Sequence, residues 1–324
     1  MTAPYLVRLL CISLASFFLI HLALGVLVSL AAPAAVRAAN RMRARRAARF
    51  LLVLRLLPAG AALATVAVLC VPSYLLLEPA ATSEEVGLSC LGAALLCLAC
   101  WSLAVARSCR AASRSLSYIR YCRMVGRRTS LGAERSPAWV VDGPAPFLAL
   151  AGIVHPRLMV SKDVVAALPD EQLAVALRHE HAHQTSRDNL KRLLLLLAPD
   201  VFPFWRAFDV LERGWSRFTE WAADDDAVAG DAGRSVSLAA ALVRVARMGA
   251  CPQTAPLVTS LLSDNDDLAA RVDRLLREAP GNAAERGKPV LAWGTALAAA
   301  GLFAGLLQPA TLYSVHRLLE HLTH

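Results

Sequence analysis

Four long stretches of this chain carry no formally charged side chain. They run from Leu9 to Val36, from Leu56 to Leu77, from Val86 to Ala106 and from Pro289 to Val315. Each is long enough to cross about 30 Å of hydrocarbon as a helix. Helices of soluble proteins average only about 10–14 residues and usually carry charge on one face. With 56% hydrophobic residues and a mean hydropathy of +0.48, the chain is predicted to have four membrane-spanning helices.

The arginine residues predict how these helices are oriented. One cluster lies between residues 37 and 55 and a second between residues 107 and 128, whereas the loop between the second and third stretches carries Glu78, Glu84 and Glu85. Segments rich in Lys and Arg stay in the cytoplasm. We therefore expect the N-terminus and the tail 316–324 outside and residues 107–288 inside. The same arginines account for the net charge of +9, so this charge does not predict nucleic-acid binding.

The segment Arg178-His179-Glu180-His181-Ala182-His183 contains the motif H-E-x-x-H. On a helix, residues four apart lie on one face, so His179 and His183 can direct two imidazoles at one metal ion. Glu180 is displaced round the helix, where it can take a proton from a water activated by the metal. The alternative is a solvated helix that carries three histidines by chance.

A second segment, Glu220-Trp221-Ala222-Ala223-Asp224, follows about 40 residues later in a predicted helix from Phe208 to Ala229. Glu220 supplies the third protein ligand that a Zn²⁺ site with two histidines still needs, which leaves a position for water. Asp224, one turn on, is expected to accept the outer N–H of a ligating imidazole. The spacing therefore predicts a zinc site of His179, His183 and Glu220.

Other elements are predicted around this motif. A juxtamembrane helix that ends in a polar turn is expected from Tyr118 to Pro137. Short β-prone runs follow at residues 139–141, 147–150 and 157–161, and the motif helix is expected from Pro169 to about Thr185. Residues 191–208 form either a core helix of the cytoplasmic domain or a segment that enters the membrane interface through Trp205.

These residues, in this order, resemble the M56 peptidases, which are membrane-embedded zinc metallopeptidases of the BlaR/MecR antibiotic-sensor type. The resemblance is carried by Pro156 to Val160, by the H-E-x-x-H motif with Asp188 five residues on, by the Phe-Pro-Phe-Trp run at 202–205, by Glu220-x-x-x-Asp224 and by Arg271 to Leu276. The M48 peptidases, such as HtpX, share the H-E-x-x-H motif and the Glu-x-x-x-Asp pattern.

The resemblance implies His179, His183 and Glu220 as zinc ligands, Glu180 as the general base and Asp224 as the residue that orients a ligand. Arg271 is a candidate to stabilise the oxyanion by its position in the family. One departure is His181, where the family usually has an apolar residue. A second is that the chain ends at His324 without the penicillin-sensing domain, so the resemblance supports a peptidase and not β-lactam sensing.

Together these observations predict a mainly α, polytopic protein of the bacterial inner membrane. Three transmembrane helices are expected in residues 1–128, a cytoplasmic zincin-like α+β metallopeptidase domain in 129–285, and a fourth helix with a short tail in 286–324. The predicted function is a zinc metalloendopeptidase that hydrolyses protein or peptide substrates at the cytoplasmic face. The alternatives are a signalling protease that inactivates a repressor with a separate sensor protein, an HtpX-like quality-control protease, and a scaffold that holds metal without catalysis.

Overall fold

The computed structural model describes residues 3–77, 87–132, 136–143, 146–200, 206, 208–249, 257–261 and 265–277, together with residues 313, 314 and 317. This part of the chain is mostly helical and contains one small sheet. Its helices are α1 (Ala3–Ala39), α2 (Ala44–Thr65), α3 (Val71–Leu77), α4 (Leu88–Val125), α5 (Lys162–Ala167), α6 (Asp170–Ser186), α7 (Asp188–Leu197), α8 (Asp209–Val228), α9 (Ala232–Arg247) and α10 (Asn265–Arg277).

Three helices are long and apolar enough to cross a membrane. They are Tyr5–Ala39, Ala44–Leu77 and Leu88–Val125, and the second of them joins α2 to α3 through a π-helical turn at Val66–Cys70. They contain the first three stretches that the sequence predicts as spans. The fourth predicted span, at 289–315, lies outside the described residues. Each helix is much longer than the roughly 20 residues that cross a bilayer, so part of each would extend beyond a bilayer.

Two separate apolar clusters show what each part of these helices packs against. The first joins the N-terminal half of α1 to the C-terminal half of α2, to α3 and to the start of α4, with Tyr5, Phe18, Tyr74 and Cys97 among its buried residues. The second joins the C-terminal half of α1 and the N-terminal half of α2 to α8. The arginine-bearing ends of the membrane helices are therefore part of the domain that carries the H-E-x-x-H motif.

A glycine allows α8 to approach the α1–α2 hairpin closely. A Cβ atom at Gly214 would lie 3.0 Å from a methyl group of Leu51 and 3.2 Å from one of Val36. Arg217 of α8 also donates a hydrogen bond to Asn40, which lies in the turn between α1 and α2. Helix α8 is thus held against the membrane helices along its length.

The sheet has five strands in the order β1-β2-β4-β3-β5. They are β1 (Arg127–Leu131), β2 (Ser136–Val141), β3 (Leu148–Ala151), β4 (Arg157–Ser161) and β5 (Val258–Ser260). Strands β2 and β4 are parallel, and the other neighbouring pairs are antiparallel. The three predicted β-prone runs correspond to β2, β3 and β4, whereas β1 and β5 were not predicted.

The predicted helix from Tyr118 to Pro137 is wrong in its second half. Helix α4 ends at Val125, and the chain turns at Gly126 directly into β1. A side chain at Gly126 would bring its Cβ within 2.5 Å of the carbonyl oxygen of Cys122, so only glycine allows so sharp an exit from the helix. The polar run Arg127 to Ser130 pairs with β2 at the edge of the sheet, where exposed strands tolerate charge.

One face of the sheet packs on α6 and α9 and forms the main core of the domain. Its centre contains Leu148 and Val160 from the sheet, Val175 and Ala176 from α6, and Leu242 from α9, all almost fully buried. Helix α6 begins at Asp170, directly after Pro169, and ends at Ser186, close to the predicted bounds. Proline before the first turn and acidic residues within it favour this start.

Candidate metal centre

His179, His183 and Glu220 meet in the interior of the domain. One ligand atom from each residue lies within 4.8 Å of the others, and all three residues are buried. The Nε2 atoms of the two imidazoles lie 3.1 Å apart, and Oε2 of Glu220 lies 3.5 Å from Nε2 of His179 and 3.7 Å from Nε2 of His183. This group could hold a metal ion.

Carboxylates hold the outer nitrogens of both imidazoles. Nδ1 of His179 lies 2.9 Å from Oδ1 of Asp224, and Nδ1 of His183 lies 2.8 Å from Oδ2 of Asp188. With protons on the two Nδ1 atoms, both Nε2 atoms keep their lone pairs, which converge with a carboxylate oxygen of Glu220. Three electron pairs directed at one small buried space favour a cation there. The contact of Asp224 with His179 agrees with the role expected from its spacing.

The role of Asp188 depends on a tight turn between α6 and α7. Arg187 alone separates the two helices, and it adopts the left-handed conformation with a φ of 54°. This changes the direction of the chain at one residue, so that Asp188, the first residue of α7, reaches the imidazole of His183 in α6. Lys191 adds an ion pair to Asp188 at 2.8 Å. Sequence analysis noted Asp188 but assigned it no role.

Arg271 of α10 completes the buried polar cluster. Its guanidinium binds both carboxylate oxygens of Asp224, at 2.9 and 2.6 Å, and lies 3.2 Å from Oε2 of Glu220. A further N–H donates to the carbonyl oxygen of Leu261. These contacts join the guanidinium to Asp224, Glu220 and a backbone carbonyl, so Arg271 holds the two carboxylates in place. The expectation that it stabilises an oxyanion stays a prediction.

Glu180 lies beside this cluster and opens on a groove. Its side chain is buried, and neither carboxylate oxygen has a hydrogen-bond partner among the described residues. The same residue lines a cavity of about 930 Å³ between α6 and the sheet. An orphaned carboxylate at a cavity wall is costly unless it serves a bound group. Glu180 is thus the member of the motif that can meet a molecule entering the groove.

Burial and neighbouring charges shift the pKa values of these groups. Burial raises the pKa of Glu180 to about 7, because the surrounding positive charges only partly offset the loss of water. Burial alone would lower the pKa of His183, but the charge of Glu220 and the hydrogen bond to Asp188 raise it to about 10. Burial opposes ionisation of Asp224, yet the guanidinium of Arg271 outweighs it and lowers that pKa to about 2.

His181, the third histidine of the segment, points away from the ligands. It is exposed and lines the groove, whereas His179 and His183 are buried. His181 therefore does not add an imidazole to the group formed by His179, His183 and Glu220. Instead, His181 is a natural internal control, because it lies on the same helix without contact with the cluster.

No family model matches this chain, and no curated protein matches it. The assignment of the site thus depends on its own geometry. The motif spacing identified His179, Glu180, His183, Glu220 and Asp224, and the structure brings all five together. The positioning roles of Asp188 and Arg271 are visible only in the fold. Asp188 contacts His183 across the break between α6 and α7, and Arg271 lies 47 residues from Asp224 in the sequence.

Proposed function

We propose that this protein is a membrane-embedded zinc metallopeptidase that hydrolyses peptide bonds at the cytoplasmic face of a bacterial inner membrane. The observation that carries the proposal is the position of Glu180, whose carboxylate has no hydrogen-bond partner among the described residues. It lies beside two histidines and one glutamate whose ligand atoms converge. A purely structural metal site needs no such base, so the arrangement favours catalysis over a scaffold that only holds metal.

The donor set supports zinc as the ion. Two imidazole nitrogens and one carboxylate oxygen are typical of catalytic zinc sites, whereas Mg²⁺ and Ca²⁺ take mainly oxygen ligands. Ligands at about 2.0–2.1 Å in tetrahedral positions lie about 3.3 Å from one another. The separations of 3.1, 3.5 and 3.7 Å bracket this value. The residues therefore fit a zinc ion with little rearrangement.

Zn²⁺ bound here would supply a Lewis acid that acidifies water and polarises a peptide carbonyl. Glu180 acts as the general base: it takes a proton from the attacking water and delivers it to the nitrogen of the leaving amine. Without a metal, burial raises the pKa of Glu180 to about 7, which makes its carboxylate a stronger base than an ordinary glutamate. Asp224 and Asp188 hold the imidazoles in the tautomer that leaves Nε2 free, and Arg271 fixes Asp224.

Activity measurements on the purified protein test this function. In detergent or nanodiscs, it should cleave an unstructured protein substrate, lose activity with a zinc chelator and regain it when zinc is restored. His179→Ala should be inactive and free of zinc, whereas His181→Ala should keep both zinc and activity. Cleavage that resists the chelator, or that survives in His179→Ala, would contradict the proposal.

A second candidate, a protease that transmits a signal across the membrane, is favoured by the contacts at the end of α7. Arg55 of α2 and Arg107 of α4 both bind Asp200, at 3.3 and 2.6 Å, and both donate to the carbonyl oxygen of Ala198. Arg55 also binds Glu212 near the start of α8 at 2.8 Å. A movement of α2 relative to α4 would thus shift α7 and α8, the helices that carry Asp188 and Glu220.

The two candidates differ in what happens when these contacts are removed. Asp200→Asn should leave the activity of a constitutive peptidase unchanged, because Asp200 does not touch the metal-binding group. In a signalling protease, the same change should alter the activity in a membrane while the zinc content stays at the wild-type level.

A further inference from the structure

The groove beside Glu180 has a helical wall and a sheet wall. Leu177, Arg178 and His181 line it on the side of α6, and residues from β1, β2, β3 and β4 line it on the side of the sheet. At about 930 Å³ it is large enough for several residues of an extended peptide. Because Glu180 lies in its wall, a chain bound along the groove would pass Glu180.

Positive charge dominates the lining of this groove. It contains Arg128, Arg157 and Arg178, and its acidic residues are Glu180 and Asp226. Asp226 forms an ion pair with Arg45, which is not part of the lining. Arg128 and Arg157 are exposed, and neither has an ion-pair partner among the residues that the structure describes. Two free guanidinium groups are thus available to a ligand.

The register of the sheet fixes the spacing of these two arginines. Arg128 of β1 pairs with Trp139 of β2, and Arg157 precedes Leu158 of β4, which pairs with Ala138 of β2. They are therefore two strands apart and offset by two residues along the strands, which places their Cα atoms about 12 Å apart. An extended peptide covers this distance in three to four residues. Side-chain alternation puts both arginines on the sheet face of Trp139 and Met159, opposite the face that packs on α6, and both line the groove.

The distance from the membrane argues against lipid headgroups as the ligand. The apolar part of α4 ends at Ala106, and the helix continues to Val125 before β1 begins. At 1.5 Å per residue, and with a typical tilt of about 20°, Arg128 lies roughly 30 Å from the hydrocarbon. The surface potential of an anionic membrane decays over about 8 Å at physiological ionic strength. These arginines are therefore not membrane anchors.

We propose that the groove selects peptide segments rich in Asp and Glu, with acidic side chains bound by Arg128 and Arg157 while a less charged part lies beside Glu180. Acidic residues three to four positions apart match the spacing of the Cα atoms of Arg128 and Arg157, and guanidinium groups bind carboxylates in a bidentate manner. The cleavage preference that follows rests on the proposed function, but the binding preference does not, because it can be measured without turnover.

Binding is tested on full-length Glu180→Gln protein in nanodiscs of zwitterionic lipid. Fluorescent ten-residue peptides with acidic residues on one side of a central apolar pair are compared by anisotropy with peptides that carry Asn and Gln instead. We expect the acidic peptide to bind about tenfold more tightly at low salt and to lose this advantage at high salt. Equal affinity for the two peptides would overturn the proposal.

Charge reversal locates the effect in the groove. In the Glu180→Gln protein, R128E together with R157E should abolish the preference for acidic peptides, and R128Q together with R157Q should reduce it. The matched control is R114E with R120E, which changes the same charge at two exposed sites of α4 outside the groove and should keep the preference. Zinc content shows that each variant is folded. An equal loss in the control would overturn the proposal, since general electrostatics would then explain it.

Turnover by the wild-type chain separates this proposal from the proposed function. Acidic peptides that bind as expected but are not cut by zinc-loaded protein would overturn the peptidase and leave the groove's preference standing. Peptides cut with no preference for acidic residues would leave the peptidase standing and overturn the groove's selectivity.

Discussion

Asp188 accepts a hydrogen bond of 2.8 Å from the imidazole of His183, although the two residues belong to different helices. The contact exists because the chain turns through a single left-handed residue, Arg187, between α6 and α7. Helix α7 thereby begins beside His183 and ends at Leu197, three residues before Asp200, which binds arginines of α2 and α4. The position of His183 is thus tied to the packing of a helix that contacts α4.

The first prediction concerns this contact. Asp188→Asn should lower zinc affinity by roughly 10- to 100-fold, because an outer carboxylate orients a ligating imidazole and raises its basicity. Competition with a fluorescent chelator measures the affinity. Lys191→Met is the control, since it removes the ion pair to Asp188 but leaves the hydrogen bond to His183. The same affinity in Asp188→Asn and the wild type would mean that the contact does not support the site.

A second prediction concerns the buried arginine behind the ligands. Arg271→Met leaves Asp224 and Glu220 buried without their positive partner, a change that typically costs about 3–5 kcal/mol of folding free energy. Unfolding in detergent should show this loss in zinc-free protein and a smaller loss with zinc, whose charge compensates Glu220.

Arg274→Met is the matched control for that variant. Arg274 lies one turn further along α10 and pairs with Asp225 at 2.5 Å in a more exposed position, so its loss should cost much less. If the two variants were equally stable, the buried cluster would not carry the stability assigned to it.

Zinc binding should release protons, and the affinity should rise with pH. Without a metal, His183 has a pKa raised to about 10, and the pKa of His179 is raised as well. His183 therefore carries a second ring proton at neutral pH that zinc must displace, and the raised pKa of His179 acts in the same direction. Raising the pH towards 10 removes the protons that compete with zinc, so the affinity for zinc should rise with pH.

Calorimetry in buffers with different ionisation enthalpies counts the protons released. We expect at least one proton per zinc at pH 7 and a tighter apparent affinity at pH 8 than at pH 6. Zinc binding with no proton release, or an affinity that falls over this range, would contradict the electrostatics of the site.

The orientation in the membrane is a further prediction. Two arginine clusters, against an acidic loop between the second and third stretches, predict that the domain with the H-E-x-x-H motif lies in the cytoplasm. This agrees with the packing of α8 on the arginine-bearing halves of α1 and α2. Alkaline phosphatase fused after Glu85 or at His324 should be active in the periplasm, and a fusion after Gly281 should be inactive. An active fusion at Gly281 would place the site on the other side and change the class of substrates.

The sequence alone predicted those features that depend on local spacing. The interval of four residues between His179 and His183 brings both side chains to one face of α6, and Glu220 and Asp224 share a face of α8 for the same reason. Long uncharged runs likewise identified the three described spans. Such patterns are independent of how distant parts of the chain pack.

Long-range features were not predictable in the same way. Arginine at position 187 gives no signal for a left-handed turn, which usually favours glycine, so the approach of Asp188 to His183 was missed. The apolar residues of α1 that pack on α8, such as Val28 and Ala32, look in sequence like residues that face lipid. Strand β1 was predicted as helix because the preceding helix has no clear stop other than Gly126.

The most direct test of the central claim is Glu180→Gln, measured for zinc content and for peptide-bond cleavage in the same preparation. The amide keeps the size of the side chain and touches no ligand, so zinc should stay near one ion per chain. Turnover should fall by at least about 100-fold, because the base is lost. A zinc-loaded Glu180→Gln protein that cleaves substrate at the wild-type rate would contradict the account.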